Sequence, residues 1–427
     1  MTESQNGTDV QAPPHSVVVV GAAHAGVQLA DRLRAGGFTG ELTLISDEPH
    51  LPYQRPPLSK AWLKGEATGD SVLLREPDYY RDQKIELIVG ARVTHLSRTP
   101  AGVEVRFTLD GDNSIREFDR LVLATGARPR RLPLPGADHP DVLVLRDLDD
   151  ARLLAARVPA GPVVVVGGGF VGLEVAATAR ALGADVTVIE AGERLLARAV
   201  GPDTAAALLA AHRTMATDVV LGALPVSIEH RDNRIHAVRL DDGREIPAAT
   251  VVVGIGAEAR TELAAQLGLD CDGGILVDRH CLASDGWTLA IGDCTTHVSE
   301  SGARYRLESV DNAVEQANAA AAVLLGQPCP QRPAPWFWSD QGDQKLQIAG
   351  LIGGHTSMLV RTDPQRPHRR VALYFTDDAL VAAECLNSPA DFVALRSALS
   401  RGHRPGPNDL ADTAVPLKKL LAPARSW

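Results

Sequence analysis

The chain has 427 residues, enough for two or three domains, and a net charge of −10 that argues against general affinity for nucleic acid. Hydrophobic residues make up 45%, with 38 glycines and 28 prolines: ordinary globular material, without an apolar run long enough to span a membrane. Five cysteines (Cys271, Cys281, Cys294, Cys329, Cys385) are scattered and none sits in C-x-x-C. That spacing argues against a disulfide scaffold, a zinc site, an iron–sulfur cluster and a redox dithiol. No metal is expected, and any electron chemistry falls to an organic cofactor.

Residues 1–15 are polar and lack the basic and apolar regions of a signal peptide. They read as a disordered tail, and the protein as cytoplasmic. Strand Ser16–Val20 then runs into Gly21-Ala22-Ala23-His24-Ala25-Gly26, which opens a helix from about His24 to Ala35, ended by Gly36-Gly37. A strand over Leu42–Ser46 follows, then a proline-rich loop, Pro49–Lys60, leading into a short helix. Further strands are expected at Ile85–Val89 and Val93–Leu96, with a hairpin near Gly102 and Gly111. Leu121–Ala124 is an apolar strand ending in the small turn Thr125-Gly126.

The opening pattern repeats. Strand Pro162–Val166 meets Gly167-Gly168-Gly169-Phe170-Val171-Gly172, a helix runs from Phe170 to Ala181, and strand Val186–Glu190 follows. Ile235–Leu240 and Arg244–Pro247 form a hairpin. Val251–Gly256 repeats the pattern of 121–126, and Leu289–Asp293 is a buried strand with an acid at its tip. From Pro333 the texture changes to alternating strands: Trp336–Asp340, Leu346–Leu351, Ser357–Thr362, Arg370–Phe375 and Leu380–Leu386. A helix follows, with Ser388-Pro389 as N-cap and N1 and an end near Gly402.

Each glycine-rich turn follows the grammar of a dinucleotide-binding βαβ unit: a tight turn at the first glycine, close backbone approach at the second, helix–strand packing at the third. Gly167, Gly169 and Gly172 are all present. In the first copy Gly21 and Gly26 remain, but Ala23 replaces the middle glycine, which is tolerable where its φ is negative. Glu190, ending its strand, would bind both ribose hydroxyls and repel a 2′-phosphate, favouring NADH, with Arg194 close by as the residue that tempers this. In the first unit the matching position is Ser46, and Asp47 is the candidate ribose contact. Two units imply two dinucleotides and a hydride passed between them. Residues 16–127 and 251–327 make one dinucleotide domain and 128–250 the inserted one. Residues 328–427 form a third, α+β domain, so the fold class is α/β with two Rossmann-like domains. Residues 360–427 hold ten basic and seven acidic side chains, a local +3 that fits a docking face for an acidic partner or a plain solvated surface.

Pro52–Lys60, Ala124-Thr125-Gly126, Gly167–Glu174, Ala290–Asp293 and Pro335–Gln341 together resemble the FAD-dependent NADH:ferredoxin reductases, the putidaredoxin-reductase-like enzymes of P450 and Rieske oxygenase systems. The resemblance implies a glutathione-reductase-like fold, FAD on the first unit, NADH on the second, residues 328–427 as an interface domain, and an acidic [2Fe–2S] ferredoxin as acceptor. It places Lys60, one of only six lysines against 37 arginines, near flavin N5 with Glu174 as its partner. It implies that Asp293 holds the ribityl hydroxyls and that Ala25, Val93, Arg146 and Val310 touch FAD. Trp336 and Trp338 share one face of a strand, and Trp338 is placed near the flavin toward the acceptor surface. Gly342 departs from the tyrosine common there in the family. Two rival readings share this fold: an NADH oxidase or peroxidase, which normally needs a cysteine beside the flavin that loop 49–60 lacks, and a non-catalytic NADH sensor. No membrane partner is expected. The oligomeric state is open, with a monomer as the expectation.

Overall fold

The computed structural model describes residues 14–363 and 365–422. The first unit comprises the chain up to Gln54, Leu73–Arg128 and Glu258–Gln331; the second comprises Arg55–Val72, Pro129–Ala257 and the chain from Arg332 onward.

The centre of the first unit is a five-stranded parallel sheet in the order Leu289–Ala290, Arg120–Leu123, Ser16–Val20, Glu41–Ile45, Glu86–Ile88. Val17, Val18 and Val19 are fully buried, as a strand covered on both faces requires. Helix His24–Ala35 lays Val27, Leu29, Ala30 and Leu33 on this sheet. Beside it stands an antiparallel layer of Arg92–Thr99, Gly102–Leu109 and Asp112–Phe118. The expected tail falls, for its first thirteen residues, outside the described ones. His15 is already tied down: its N–H donates to Asp119 Oδ2 at 2.6 Å, and its carbonyl accepts from Glu41 N at 2.8 Å.

The second unit repeats the plan. Its parallel sheet runs Asp218–Leu221, Val186–Glu190, Val163–Val166, Thr250–Val253, Val142–Leu143. Thr250–Val253 pairs with the fingerprint strand, so residues 251–256 belong with the inserted domain and the return to the first unit comes after Ala257, later than the boundary of 251 read from sequence. The same strand pattern occurs in both units, and only hydrogen-bond partners tell which sheet a given copy joins. Residues 55–72 also group with the second unit. Within them, Leu58–Trp62 is a single π-type turn, closed by Trp62 N donating to Pro57 O, rather than an ordinary short helix.

The C-terminal part is a five-stranded antiparallel sheet, Trp336–Gln341, Gln344–Gly350, Ala379–Leu386, Arg366–Thr376, Ser357–Asp363, covered by helix Pro389–Ser400. Asp377 and Asp378 both take positive φ in the tight turn that joins its two longest strands. Ser388 stands at the expected N-cap, but its hydroxyl donates to Leu386 O and does not cap the helix.

Glu384 links this sheet to helix Pro202–Thr214. Its Oε1 accepts the N–H of Gly201, the residue that opens that helix, at 2.8 Å. Burial pushes the Glu384 carboxyl up, against the opposing pull of the nearby Thr204 hydroxyl, the Gly201 N–H and the Tyr374 hydroxyl. A carboxyl raised on folding stabilises the fold below its ordinary value near 4.5, and that contribution is lost as pH rises through the folded value. Glu384→Gln keeps an acceptor for Gly201 and removes the buried charge. It should therefore raise the melting temperature at pH 8, with the difference closing as pH falls toward 4.5. An equal or lower melting temperature at pH 8 would contradict this account.

Candidate functional site

The two glycine turns have the same geometry. Gly21 has φ +115° and Gly167 φ +109°, a region L side chains avoid. A Cβ at Gly21 would lie 2.1 Å from Ala124 O, and one at Gly167 would lie 2.5 Å from Gly254 O. Gly26 and Gly172 meet the carbonyls of those same first glycines, at 2.1 and 2.4 Å. Each helix is thus pressed onto its strand at a point where only glycine fits.

Ala23 and Gly169 both stand at N-caps in extended conformation, φ −92° and −84°. The φ of Ala23 is negative, which is the condition for its methyl group to be tolerated. Neither helix start has a side-chain cap among the described residues, in contrast to Leu148–Arg157, capped by Asp147, and Val310–Leu324, capped by Ser309. The uncapped N–H groups of both fingerprint helices fit a pyrophosphate.

In the first unit Ala25 is buried against Gly292, and Thr125 Oγ1 donates to Arg260 O at 2.8 Å while Gly126 turns at φ +68°. Asp293 sits in the turn after strand Leu289–Ala290, and its carbonyl accepts from Arg306 at 2.9 Å. Gln316 Oε1 pins the N–H of Gly292 at 2.7 Å. Asp47 pairs with Arg260 at 2.9 Å and more loosely with Arg92 at 3.8 Å. Val310 is a half-buried helix-opening residue and Val93 a half-buried strand residue, so neither is a sealed core valine.

The second unit holds the remaining candidates. Both Glu190 oxygens accept backbone N–H groups, Oε2 from Gly168 and Oε1 from Gly192, each at 2.7 Å. Arg194 donates to Val200 O at 2.6 Å and Ala197 O at 2.7 Å, which holds its guanidinium against the adjoining loop. The Arg146 carbonyl accepts from Arg55 at 2.6 Å, and its N–H donates to Asp150 Oδ2.

Lys60 Nζ lies 2.6 Å from Glu174 Oε2 and also donates to Pro56 O at 3.2 Å. The same carboxylate oxygen takes the Ser59 hydroxyl at 2.6 Å. The Ser59 carbonyl in turn receives Thr178 Oγ1 at 2.8 Å, so helix Phe170–Ala181 grips the π-type turn at two levels. Trp338 and Trp336 share a face as expected, with ring centroids 5.2 Å apart. Between them Phe337 points the other way and packs on Phe170 at 4.4 Å. Gly342 turns at φ +67°, and a Cβ there would meet Met215 Sδ at 2.7 Å, so a larger residue would have to displace that methionine.

Sequence reading missed Ser59, Ser339, Gln341 and His212. All are buried, and Ser339 bonds Glu174 Oε1 at 2.7 Å. The available signal was parity: Ser339 and Gln341 share Phe337's face of the strand, the one turned toward helix Phe170–Ala181.

Residues 15–317 match the pyridine nucleotide-disulphide oxidoreductase model and residues 336–421 the reductase C-terminal model. The chain belongs to the pyridine nucleotide-disulphide oxidoreductase family. It is 40% identical to rhodocoxin reductase of Rhodococcus erythropolis, over 95% of this chain and 94% of that one. It is 38% identical to putidaredoxin reductase of Pseudomonas putida, over 96% and 98%. The putidaredoxin reductase in its covalent complex with putidaredoxin superposes with a TM-score of 0.90 at 36% identity, covering 95% of this chain and 98% of that one. The family uses FAD and NAD(H). Among the described residues, no helix is long and apolar enough to cross a membrane.

Proposed function

We propose that this chain is a cytoplasmic, monomeric NADH-dependent ferredoxin reductase, taking electrons from NADH through bound FAD to an acidic [2Fe–2S] ferredoxin that feeds an oxygenase. The observation that carries the reading is the pair of glycine cradles, one per unit, each with an uncapped helix start. When bound, FAD supplies the conversion from a two-electron hydride donor to a one-electron acceptor. The chain's own contribution is positioning and charge. Gly21, Ala25, Gly26, Asp47, Val93, Thr125, Gly126, Arg146, Asp293 and Val310 are proposed to hold FAD. Gly167, Gly169, Gly172 and Glu190 are proposed to hold NADH. Lys60, held in place by Glu174, offers a fixed cation to the developing negative charge of reduced flavin. Trp338 is proposed to lie toward the acceptor, and the locally basic C-terminal part offers complementary charge to an acidic ferredoxin.

The cysteine beside Asp293 does not fit a redox thiol. Cys294, next to Asp293, is fully buried, burial pushes its thiol up, and it donates to Ile291 O at 3.2 Å. The purified protein should be yellow and bleach on anaerobic addition of NADH. Cytochrome c reduction should depend on added [2Fe–2S] ferredoxin, with little hydrogen peroxide formed. Peroxide release matching NADH consumption would favour an oxidase instead, and slow turnover of a long-lived NADH complex would favour a sensor. Lys60→Ala should slow bleaching by NADH or lower the flavin potential, and a stopped-flow rate and potential both unchanged would remove Lys60 from the site.

A further inference from the structure

Glu174 is 6% exposed, and its two oxygens have different duties. Oε2 faces Lys60 and Ser59, while Oε1 faces Ser339 Oγ at 2.7 Å. A carboxylate paired with a lysine only accepts hydrogen bonds, so the Ser339 hydroxyl must donate to it. With that proton spent, Ser339 Oγ faces Gln341 Nε2 at 3.2 Å through a lone pair, and the amide donates. Gln341 Oε1 is then left facing His212 Nε2 at 3.0 Å. An amide oxygen only accepts, so His212 carries its proton on Nε2. His212 is fully buried, burial pushes its ring pKa down, and Nδ1 has no hydrogen-bond partner among the described residues. One proton on Nε2 and a bare Nδ1 satisfy all of these conditions.

The polarity thus follows link by link from the carboxylate end. We propose that His212, Gln341 and Ser339 form a one-way row of donors aimed at Glu174, positioning residues that hold its carboxylate in one orientation and, through it, the location of the Lys60 ammonium. Each dipole in the row reinforces the next in a site screened from water. The row does not conduct protons, because passing one through Gln341 would require the imidic acid form of the amide. Its members come from helix Pro202–Thr214 and strand Trp336–Gln341, so the C-terminal sheet sets the electrostatics of a lysine far from it in sequence.

This inference rests on the proposed function, in which Lys60 serves the flavin. Two measurements on the FAD-loaded protein test it. The first is nitrogen NMR of histidine-labelled protein at pH 7.5, with His212 assigned by difference from His212→Gln. A protonated Nε2 and bare Nδ1 are expected, and the opposite tautomer would overturn the row. The second is the midpoint potential of bound FAD. Lys60→Ala should shift the reduction equilibrium about tenfold toward oxidised flavin, about 30 mV for a two-electron couple. Ser339→Ala and Gln341→Met, both close in shape to the native residues, should shift it in the same direction by roughly threefold, which a purely structural role would not do. No shift with Lys60→Ala would end this inference, and, with the rate of bleaching by NADH also unchanged, the reading of Lys60 as well. A shift with Lys60→Ala but wild-type potentials in folded Ser339→Ala and Gln341→Met would end this inference alone.

Discussion

Gly26→Val should yield a colourless protein, and Gly172→Val a yellow protein that NADH cannot bleach but dithionite can. A Cβ at Gly26 would lie 2.1 Å from Gly21 O and 3.4 Å from Val19 Cγ1, and one at Gly172 would lie 2.4 Å from Gly167 O and 3.1 Å from Val165 Cγ1. In each case the first obstacle is backbone, which cannot swing aside as a side-chain tip does. The helix must lift off its strand, carrying its first-turn N–H groups away from the phosphate they would bind. Overpacking of this kind costs about 1–3 kcal/mol even before the ligand is considered. Once the hydrogen bonds from the helix start to the phosphate are broken as well, cofactor affinity should fall on the order of a thousandfold, about 4 kcal/mol. The two variants change equivalent positions in two similar sheets, so a difference in colour assigns the flavin to one unit. Flavin content and anaerobic NADH titration are the measurements, with circular dichroism to confirm that each variant is folded. Colour retained by Gly26→Val and lost by Gly172→Val would reverse the assignment.

These cradles were legible in the sequence because their requirements are local. A run of valines, a glycine at the turn and small residues every few positions along the helix fall within about a dozen residues. Helices His24–Ala35 and Phe170–Ala181 accordingly have the bounds read from sequence. The pairing of Lys60 with Glu174 was legible only through family resemblance, since 114 residues separate them. The row behind Glu174 was not legible at all. A serine, a glutamine and a histidine carry no common motif, and their relation exists only once helix and sheet are packed. The same holds for Glu384, which reaches the helix opening at Gly201 across 183 residues. The domain return near residue 257 was misplaced for a related reason: Thr250–Val253 and Arg120–Leu123 look alike as sequences, and only pairing with Val163–Val166 or Ser16–Val20 distinguishes them. Periodicity tells what a segment becomes, and the partners of its hydrogen bonds tell where it goes.

NADH should be preferred to NADPH by at least about a thousandfold in kcat/KM, roughly 4 kcal/mol, and Glu190 should carry most of that preference. Its carboxylate is held at both ends by backbone N–H groups, Gly168 and Gly192 at 2.7 Å, so it cannot rotate away from a ligand seated on the turn. Each oxygen keeps a lone pair for a ribose hydroxyl, and a hydrogen bond to a charged acceptor is worth about 1.5–3 kcal/mol. A 2′-phosphate would instead bring negative charge against the same carboxylate. At about 5 Å and an effective dielectric near 20, each unit of charge costs on the order of 3 kcal/mol. Arg194, the neighbouring cation able to offset this, already donates to Ala197 O and Val200 O, and releasing it would leave those carbonyls without it. Glu190→Gln keeps one acceptor and removes the charge. It should lower kcat/KM for NADH by about tenfold and, with the repulsion gone, raise that for NADPH by on the order of a hundredfold, so that most of the ratio between the two is lost. Steady-state kinetics with ferricyanide as a one-electron acceptor measures both ratios without needing the natural ferredoxin. An unchanged ratio would mean that discrimination lies elsewhere and that Glu190 serves only to brace the glycine turn.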